Sequence, residues 1–110
     1  MTREELYEKA RLLPLTPGVY IMHSKSGKVI YVGKSKALRN RVSSYFAPYA
    51  DHHGKTRRMV DSVDDFEVYF TATELEALLQ ENQFIKQFQP RYNIKLKYKE
   101  DKNDKETIYY

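Results

Sequence analysis

The chain has 110 residues, 19 Lys and Arg against 15 Asp and Glu, a net charge of +4 and no cysteine. This length suits a single domain, and the lack of cysteine excludes a disulfide framework and a thiolate zinc site. The apolar runs reach only about five residues, too few for a membrane helix or a secretory signal, so we expect a monomer without membrane contacts.

The first third of the chain predicts a helix followed by a β-hairpin. Thr2 and Glu5 have the spacing of a capping box, and the helix that they begin ends before Pro14. Two runs of β-branched and aromatic residues, 19–22 and 29–32, flank a segment with turn-forming composition. We therefore expect one helix and then two antiparallel strands.

The middle of the chain predicts two helices. Apolar residues recur at helical spacing over 34–46, which predicts the first of them. Lys34 and Arg41 are seven residues apart in this segment, so they share one helical stripe and reach the same phosphate. A shorter helix is expected over 55–63.

The following segment predicts a strand and a long helix. Alternation over 66–70 predicts a strand with Phe66, Val68 and Phe70 facing inward. A second capping box begins a helix over 73–89, which a proline then stops. Together these elements predict one α+β domain, with a small three-stranded antiparallel sheet flanked by helices.

We assign residues 1–97 to that domain and residues 98–110 to a charged C-terminal tail. The tail is interpreted as a frayed end, a last strand or the start of a longer protein. The three histidines are expected at the surface rather than around a metal ion, since His52 and His53 are adjacent in a loop and have no cysteine partner.

Charge is strongly segregated along the chain. Residues 23–58 carry nine basic side chains and one acid, whereas residues 59–83 carry seven acids and no Lys or Arg. A basic third of this kind favours a polyanion such as nucleic acid as partner, and a solvated face without a partner is the alternative. The basic residues that we expect to bind DNA nonspecifically are Lys36, Arg39, Lys55, Arg57 and Arg58.

Glu81 is the most unusual acid of the chain. It points about 130° away from the polar side of its predicted helix and shares a stripe with apolar residues, among them Leu78, Phe84 and Phe88. An unpaired carboxylate there costs several kcal/mol of desolvation. Two compensations remain open, a salt bridge and a hard cation such as Mg²⁺ completed by water and substrate phosphate.

Two tyrosines lie on the arms of the hairpin, where tyrosine most often serves packing. The motifs around them read Gly-Val-Tyr at 18–20 and Tyr-Val-Gly at 31–33, followed by helices that carry a basic residue and a buried acid. This order resembles the GIY-YIG nuclease superfamily. Segments 33–46, 76–86 and 89–94 are similar to the N-terminal domain of its UvrC family.

The resemblance implies a site that hydrolyses phosphodiesters. Tyr31 would act as the general base or proton relay for the attacking water, and Tyr20 would position water and phosphate beside it. Lys34 would lower the proton affinity of the Tyr31 phenol, because a nearby ammonium favours phenolate. The unperturbed pKa of tyrosine, about 10, makes it a poor base unless the site shifts it.

The remaining implied residues surround the phosphate. Arg41 would stabilise the pentacovalent phosphate, Glu81 would hold one Mg²⁺ or Mn²⁺ ion, and Tyr45 and Asn93 would complete the site. The resemblance implies a bacterial, cytoplasmic DNA endonuclease domain that makes the 3′ incision in nucleotide excision repair. Its partners would be DNA and UvrB-type subunits, the latter through regions beyond this chain. A DNA-binding module without cleavage, and a nuclease of this superfamily acting outside excision repair or on RNA, are the alternatives.

Overall fold

The computed structural model describes residues 1–93, 95–97 and 107–109. Among them it contains four helices, and a three-stranded antiparallel sheet that confirms the predicted architecture. The elements in chain order are α1 (Arg3–Arg11), β1 (Gly18–His23), β2 (Val29–Ser35), α2 (Leu38–Phe46), α3 (Gly54–Ser62), β3 (Asp65–Phe70), α4 (Glu74–Phe88), β4 (Lys95–Lys97) and β5 (Thr107–Tyr109).

The sheet has the strand order β2-β1-β3, so the strand that carries Tyr31 lies at an edge. Met22 pairs with Tyr31 but His23 pairs with Val29, which leaves Ile30 as an extra residue in β2. Such a bulge turns two consecutive side chains toward one face. Ile30 and Tyr31 accordingly both pack against the larger hydrophobic cluster.

Helices cover both faces of the sheet. One face packs against α1, α2 and α3 in a cluster that includes Tyr20, Tyr45 and Phe46. The other packs against α4 through Ala77 and Ile85. Because side chains alternate along a strand, residues 20 and 22 of β1 face the first layer while residues 19 and 21 face α4.

The predicted caps of α1 and α4 form as expected. Thr2 and Glu5 make a reciprocal capping box at the start of α1, and Thr73 and Glu76 make the same arrangement at α4. Helix α4 ends at Gln89, whose φ of 44° is left-handed, just before the proline that stops it. Helix α4 therefore begins and ends at positions set by its own capping residues.

The predicted start of α2 is wrong. The helix begins at Leu38, and Lys34 and Ser35 belong to β2, where they pair with Val19 and Gly18 of β1. Pairing with β1 holds this segment extended despite its helical periodicity. The predicted helical stripe that joins Lys34 to Arg41 does not exist, and the two residues lie on a strand and a helix.

Two burial predictions are also corrected. Phe70 at the end of β3 is 60% exposed, because the strand runs past the helices that cover its beginning. On α4, Leu78 and Phe88 are partly exposed rather than buried, while Leu75 and Leu79 point outward. The buried stripe of α4 is thus narrower than its apolar content predicts, with Ala77 and Ile85 at its centre.

The predicted tail at 98–110 lies outside the described residues except for 107–109, which pair antiparallel with β4. In the part of the chain that the structure describes, no helix has the length and hydrophobicity needed to cross a membrane.

Candidate active site

The site begins with a tyrosine that lies across a glycine. Tyr20 of β1 pairs with Gly33 of β2, and a Cβ atom on Gly33 would overlap the ring and hydroxyl of Tyr20. Only a glycine leaves this space. The Tyr20 ring is consequently 1% exposed, and its hydroxyl passes over β2 toward α2.

Three tyrosines form one cluster beside the edge of the sheet. The hydroxyls of Tyr20 and Tyr45 are 2.8 Å apart and share a hydrogen bond. The Tyr20 ring centroid lies 5.8 Å from that of Tyr45 and 6.1 Å from that of Tyr31. Tyr45 also interacts with the Tyr31 hydroxyl, so one helix residue connects the phenols of both hairpin strands.

Arg41 adds a permanent positive charge to this cluster. Its guanidinium carbon lies 5.7 Å from the centroid of the Tyr45 ring. The neighbouring Tyr20 hydroxyl raises the pKa of Arg41, chiefly through a side-chain interaction with the guanidinium. Arg41 therefore stays charged at every relevant pH and presents its fork of donors at the surface.

The phenols themselves are held in their neutral form. Burial is the main reason that the pKa of Tyr31 rises far above its ordinary value, with a further contribution from Tyr45. Arg41 opposes this shift in Tyr31, and Lys34 lowers the pKa of Glu81. An effect of Lys34 on the proton affinity of Tyr31 stays a prediction.

Glu81 is half-buried on the inner side of α4. Burial raises the pKa of its carboxyl, and Lys34 lowers it in part through its charge. No Lys, Arg or His among the described residues lies within ion-pair distance of this carboxylate. The salt-bridge alternative is therefore absent there, and the carboxylate is available to a cation.

A single carboxylate, Glu81, fits a hard cation that keeps most of its coordinated water. Within the described residues, no three His, Cys, Asp or Glu side chains cluster as ligands. Mg²⁺ commonly takes one or two protein carboxylates and completes its coordination with water and substrate phosphate. Glu81 is a half-buried carboxylate on which the positive charge of Lys34 acts, and it meets this requirement.

The cleft beside these residues has a volume of about 240 Å³. Its basic lining is Lys34 at the end of β2, Lys36 just after that strand and Arg41 from α2. Ala77 and Glu74 of α4 close its other side, and Glu74 lies 3.8 Å from the Lys36 ammonium. Three cations around one opening suit a phosphate group.

Asn93 is buried at the edge of β2. Its side-chain oxygen accepts a hydrogen bond from the Val32 N–H at 3.0 Å, and its amide nitrogen donates to the Val32 carbonyl at 2.9 Å. The side chain thus occupies the place of a neighbouring strand. Because Val32 follows Tyr31 directly, Asn93 fixes the backbone that carries the edge tyrosine.

The basic residues expected to bind DNA fall into two groups. Lys36 lines the cleft, and Arg39 at the start of α2 donates from its Nε to the Leu13 carbonyl at 2.7 Å. The others lie on α3, and Arg57 is 3.9 Å from Asp61 of the same helix. Lys55 and Arg58 complete the α3 group without an ion pair among the described residues.

His52 was expected at the surface, and the structure instead ties it to the site. Its Nε2 donates to the Tyr45 carbonyl at 2.9 Å, and its ring packs beside the Tyr45 ring. His53 follows the expectation and is exposed. The sequence carries no local signal that distinguishes the two neighbours, because the contact depends on how the loop folds back onto α2.

The geometry agrees with a match of residues 16–94 to the UvrC-like GIY-YIG domain. The chain belongs to this family. Its resemblance to the GIY-YIG nucleases, inferred from the two tyrosine motifs, is therefore confirmed, and the α+β fold of the UvrC-like GIY-YIG domain accounts for the arrangement of β1, β2, α2 and α4 around the cleft.

Relatives of this UvrC-like domain come from several bacteria. The chain is 52% identical over 95 residues to UvrABC system protein C of Pelodictyon phaeoclathratiforme and 51% identical over 94 residues to that of Gloeobacter violaceus. Each match covers 86% of this chain and 15% of the relative. The chain thus spans about one seventh of the length of these relatives.

Solved structures of the same domain are also similar. The GIY-YIG N-terminal endonuclease domain of UvrC from Thermotoga maritima, bound to magnesium as its catalytic divalent cation, aligns with a TM-score of 0.73 and 38% identity. The alignment covers 86% of this chain and all of that one. Tyrosine-to-phenylalanine and asparagine-to-alanine variants of that domain, each bound to its catalytic cation, align equally well.

Proposed function

We propose that this domain is a metal-dependent DNA endonuclease that hydrolyses one phosphodiester per encounter. The observation that carries the proposal is that the charges of Arg41 and Glu81 both act on Tyr31, while Arg41 and Lys34 line one basic cleft. Membership of the UvrC-like GIY-YIG family and the magnesium-bound relative support it. With one such site per chain, the expected product is a nick.

The phosphate is bound by the basic side of the cleft. Arg41 offers a bidentate fork for two phosphate oxygens and retains its charge as a pentacovalent dianion develops. Lys34, which lines the same cleft, adds a second positive charge. Donors that are already in place when negative charge grows lower the barrier most, because they need no reorganisation.

Tyr31 handles the proton of the attacking water as a relay. Its raised pKa means that the phenol is protonated at neutral pH in the free domain. Its oxygen would accept a hydrogen bond from the attacking water and so orient it. Tyr20 is hydrogen-bonded to Tyr45, and this contact holds the two phenols beside Tyr31.

Glu81 is the residue that would hold one Mg²⁺ or Mn²⁺ ion. Such an ion supplies Lewis-acid stabilisation of charge on the 3′ oxygen that leaves. Burial raises the pKa of the Glu81 carboxyl, and the positive charge of Lys34 opposes part of that rise and so favours the ionised form that binds a cation. Asn93 acts indirectly, because it holds the backbone of the strand that carries Tyr31.

In the cell, we assign this activity to the 3′-side incision of nucleotide excision repair in the bacterial cytoplasm. Residues 1–97 constitute the endonuclease domain, which works as a monomer, and residues 98–110 are a charged tail. Relatives called UvrABC system protein C, several times longer than this chain, support the assignment. DNA contacts by Lys36, Arg39 and the α3 group position the substrate, and UvrB-type subunits supply the choice of lesion.

Conversion of supercoiled plasmid to the open circle tests this function directly. The wild-type protein should nick plasmid only with Mg²⁺ or Mn²⁺, and Glu81→Gln and Arg41→Ala should each abolish nicking while they remain folded, as their far-UV circular dichroism would show. Arg11→Ala, a change of a basic residue on α1, is the matched control and should nick normally. Metal-independent nicking, or unchanged activity of Glu81→Gln, would overturn the mechanism.

A DNA-binding module without cleavage is the second candidate. The observation in its favour is that burial raises the pKa of Tyr31 above its ordinary value, which makes a phenolate base harder to form. This candidate requires binding that weakens steeply with salt and no nick at any metal concentration. Gel-shift and nicking experiments on one preparation separate the two candidates, and RNA substrates in the same experiments test the RNA-directed alternative.

A further inference from the structure

The C-terminus of α2 has an unusual anchor. The carbonyl of Tyr45 lies in the last turn of this helix, where carbonyls have no intrahelical partner. His52 donates to it from the following loop at 2.9 Å, and the Arg3 guanidinium approaches it at 3.4 Å from α1. Basic side chains in this position satisfy the carbonyl and suit the negative end of the helix dipole.

The same residue has its hydroxyl in the active site. Tyr45 is 7% exposed, and its hydroxyl bonds to Tyr20 at 2.8 Å while it also interacts with Tyr31. The His52 ring centroid lies 6.0 Å from the Tyr45 ring centroid. One histidine therefore restrains both the backbone and the ring of the tyrosine that joins the other two.

We propose that His52 is a positioning residue for catalysis, which acts by fixing the hydroxyl of Tyr45 between Tyr20 and Tyr31. The expected effect of His52 on kcat rests on the proposed endonuclease function, whereas its effect on the position of the Tyr45 hydroxyl does not. Without the His52 contact, the loop releases the end of α2 and the Tyr45 hydroxyl samples positions from which it no longer orients the relay.

The proposal depends on the hydrogen bond from the Nε2 of His52, so variants that keep or lose a donor at this position test it. The side-chain amide nitrogen of glutamine reaches the position of Nε2, whereas that of asparagine reaches only the position of Nδ1. His52→Gln should therefore restore what His52→Ala and His52→Asn lose. His53→Ala, at the exposed neighbour, is the matched control and should behave as wild type.

Steady-state nicking kinetics at a temperature well below unfolding provide the first readout. His52→Ala should lower kcat about fivefold, the effect of one lost hydrogen bond, and leave KM unchanged. In a Tyr45→Phe background, His52→Ala should cost nothing further, because the hydroxyl through which it acts is gone. Equal losses in both backgrounds, or full activity of His52→Asn, would overturn the proposal.

The second readout needs neither metal nor DNA. In metal-free protein labelled with ¹³C at the tyrosine Cζ atoms, His52→Ala should shift or broaden the Tyr45 signal, which Tyr45→Phe identifies. His52→Gln and His53→Ala should leave that signal in place. An unchanged Tyr45 signal in His52→Ala refutes the positioning role. A wild-type protein that never nicks DNA refutes the endonuclease function alone, so the two failures are distinguishable.

Discussion

Tyr20 lies flat across Gly33, and this contact between adjacent strands sets the position of the whole tyrosine cluster. Gly33→Ala should push the Tyr20 ring off the strand and lower the free energy of unfolding by about 1–3 kcal/mol, as overpacked cores do. Denaturant unfolding measures the change. In a Tyr20→Ala background the same substitution should cost almost nothing, and an undiminished cost there would place the clash elsewhere.

Removal of the Glu81 charge should change how stability depends on pH. Burial raises the pKa of this carboxyl in the folded state, so its contribution to stability is complete below 4.5, the ordinary value, and is lost as the pH rises through the folded pKa. Metal-free wild type should therefore lose more unfolding free energy than Glu81→Gln between acidic and neutral pH.

Mg²⁺ should offset the extra loss of unfolding free energy in the wild type, because a ligand that binds the native state stabilises that state. At neutral pH, millimolar Mg²⁺ should raise the melting temperature of the wild type and leave that of Glu81→Gln unchanged. Equal stabilisation of both proteins by Mg²⁺ would mean that the ion binds at another acidic residue.

Arg41 should not be replaceable by lysine. A lysine at this position keeps the charge but lacks the bidentate fork and the planar contact with the Tyr45 ring. Arg41→Lys should lower kcat by about 10²-fold, the scale for loss of one donor to a developing anion. Nicking rates give the value, Arg11→Lys on α1 is the control, and a loss below threefold would exclude the bidentate role.

Asn93→Ala should destabilise the protein through Val32. It leaves a buried N–H and a buried carbonyl of β2 without their partner, and each unsatisfied buried group costs about 1–3 kcal/mol. Asn93→Asp keeps the acceptor but places a buried carboxylate oxygen against the Val32 carbonyl, so at neutral pH it should destabilise the protein at least as much as alanine. Calorimetric melting ranks the three proteins, and an aspartate variant as stable as wild type would contradict this account.

The basic residues of α3 should determine part of the salt dependence of DNA binding. Each phosphate contact contributes about 0.9 to the slope of log K against log salt. The double substitution Lys55→Ala with Arg58→Ala should thus reduce the slope by nearly 2, without sequence preference. Lys86→Ala on α4 is the control, and an unchanged slope in the double variant would mean that DNA does not touch α3.

The sequence predicts the architecture well because its signals are local. Capping boxes at Thr2 and Thr73, a proline after α4 and alternation in the hairpin each depend on a few adjacent residues. Glu81 is identified from the sequence for the same reason, because its place among apolar residues depends on the spacing within one helix. These elements form as their own residues dictate, and tertiary contacts only bring them together.

The predictions that fail depend on contacts between distant segments. The helical periodicity after Gly33 is real, yet pairing with β1 keeps Lys34 in a strand. His52 and His53 are equivalent in sequence, and only the fold of the loop onto α2 separates them. The raised pKa of Tyr31 likewise follows from burial against other segments of the chain, which its own strand does not encode.

The Asn93 amide has a consequence for where the functional domain must end. By pairing with both backbone groups of Val32, and with the Tyr92 N–H bonded to the Ile30 carbonyl at 2.9 Å, this segment seals the outer edge of β2. A sealed edge cannot add a strand from another molecule. A shortened chain that lacks residues 92–93 would leave the backbone groups of Ile30 and Val32 unpaired and would self-associate through this edge.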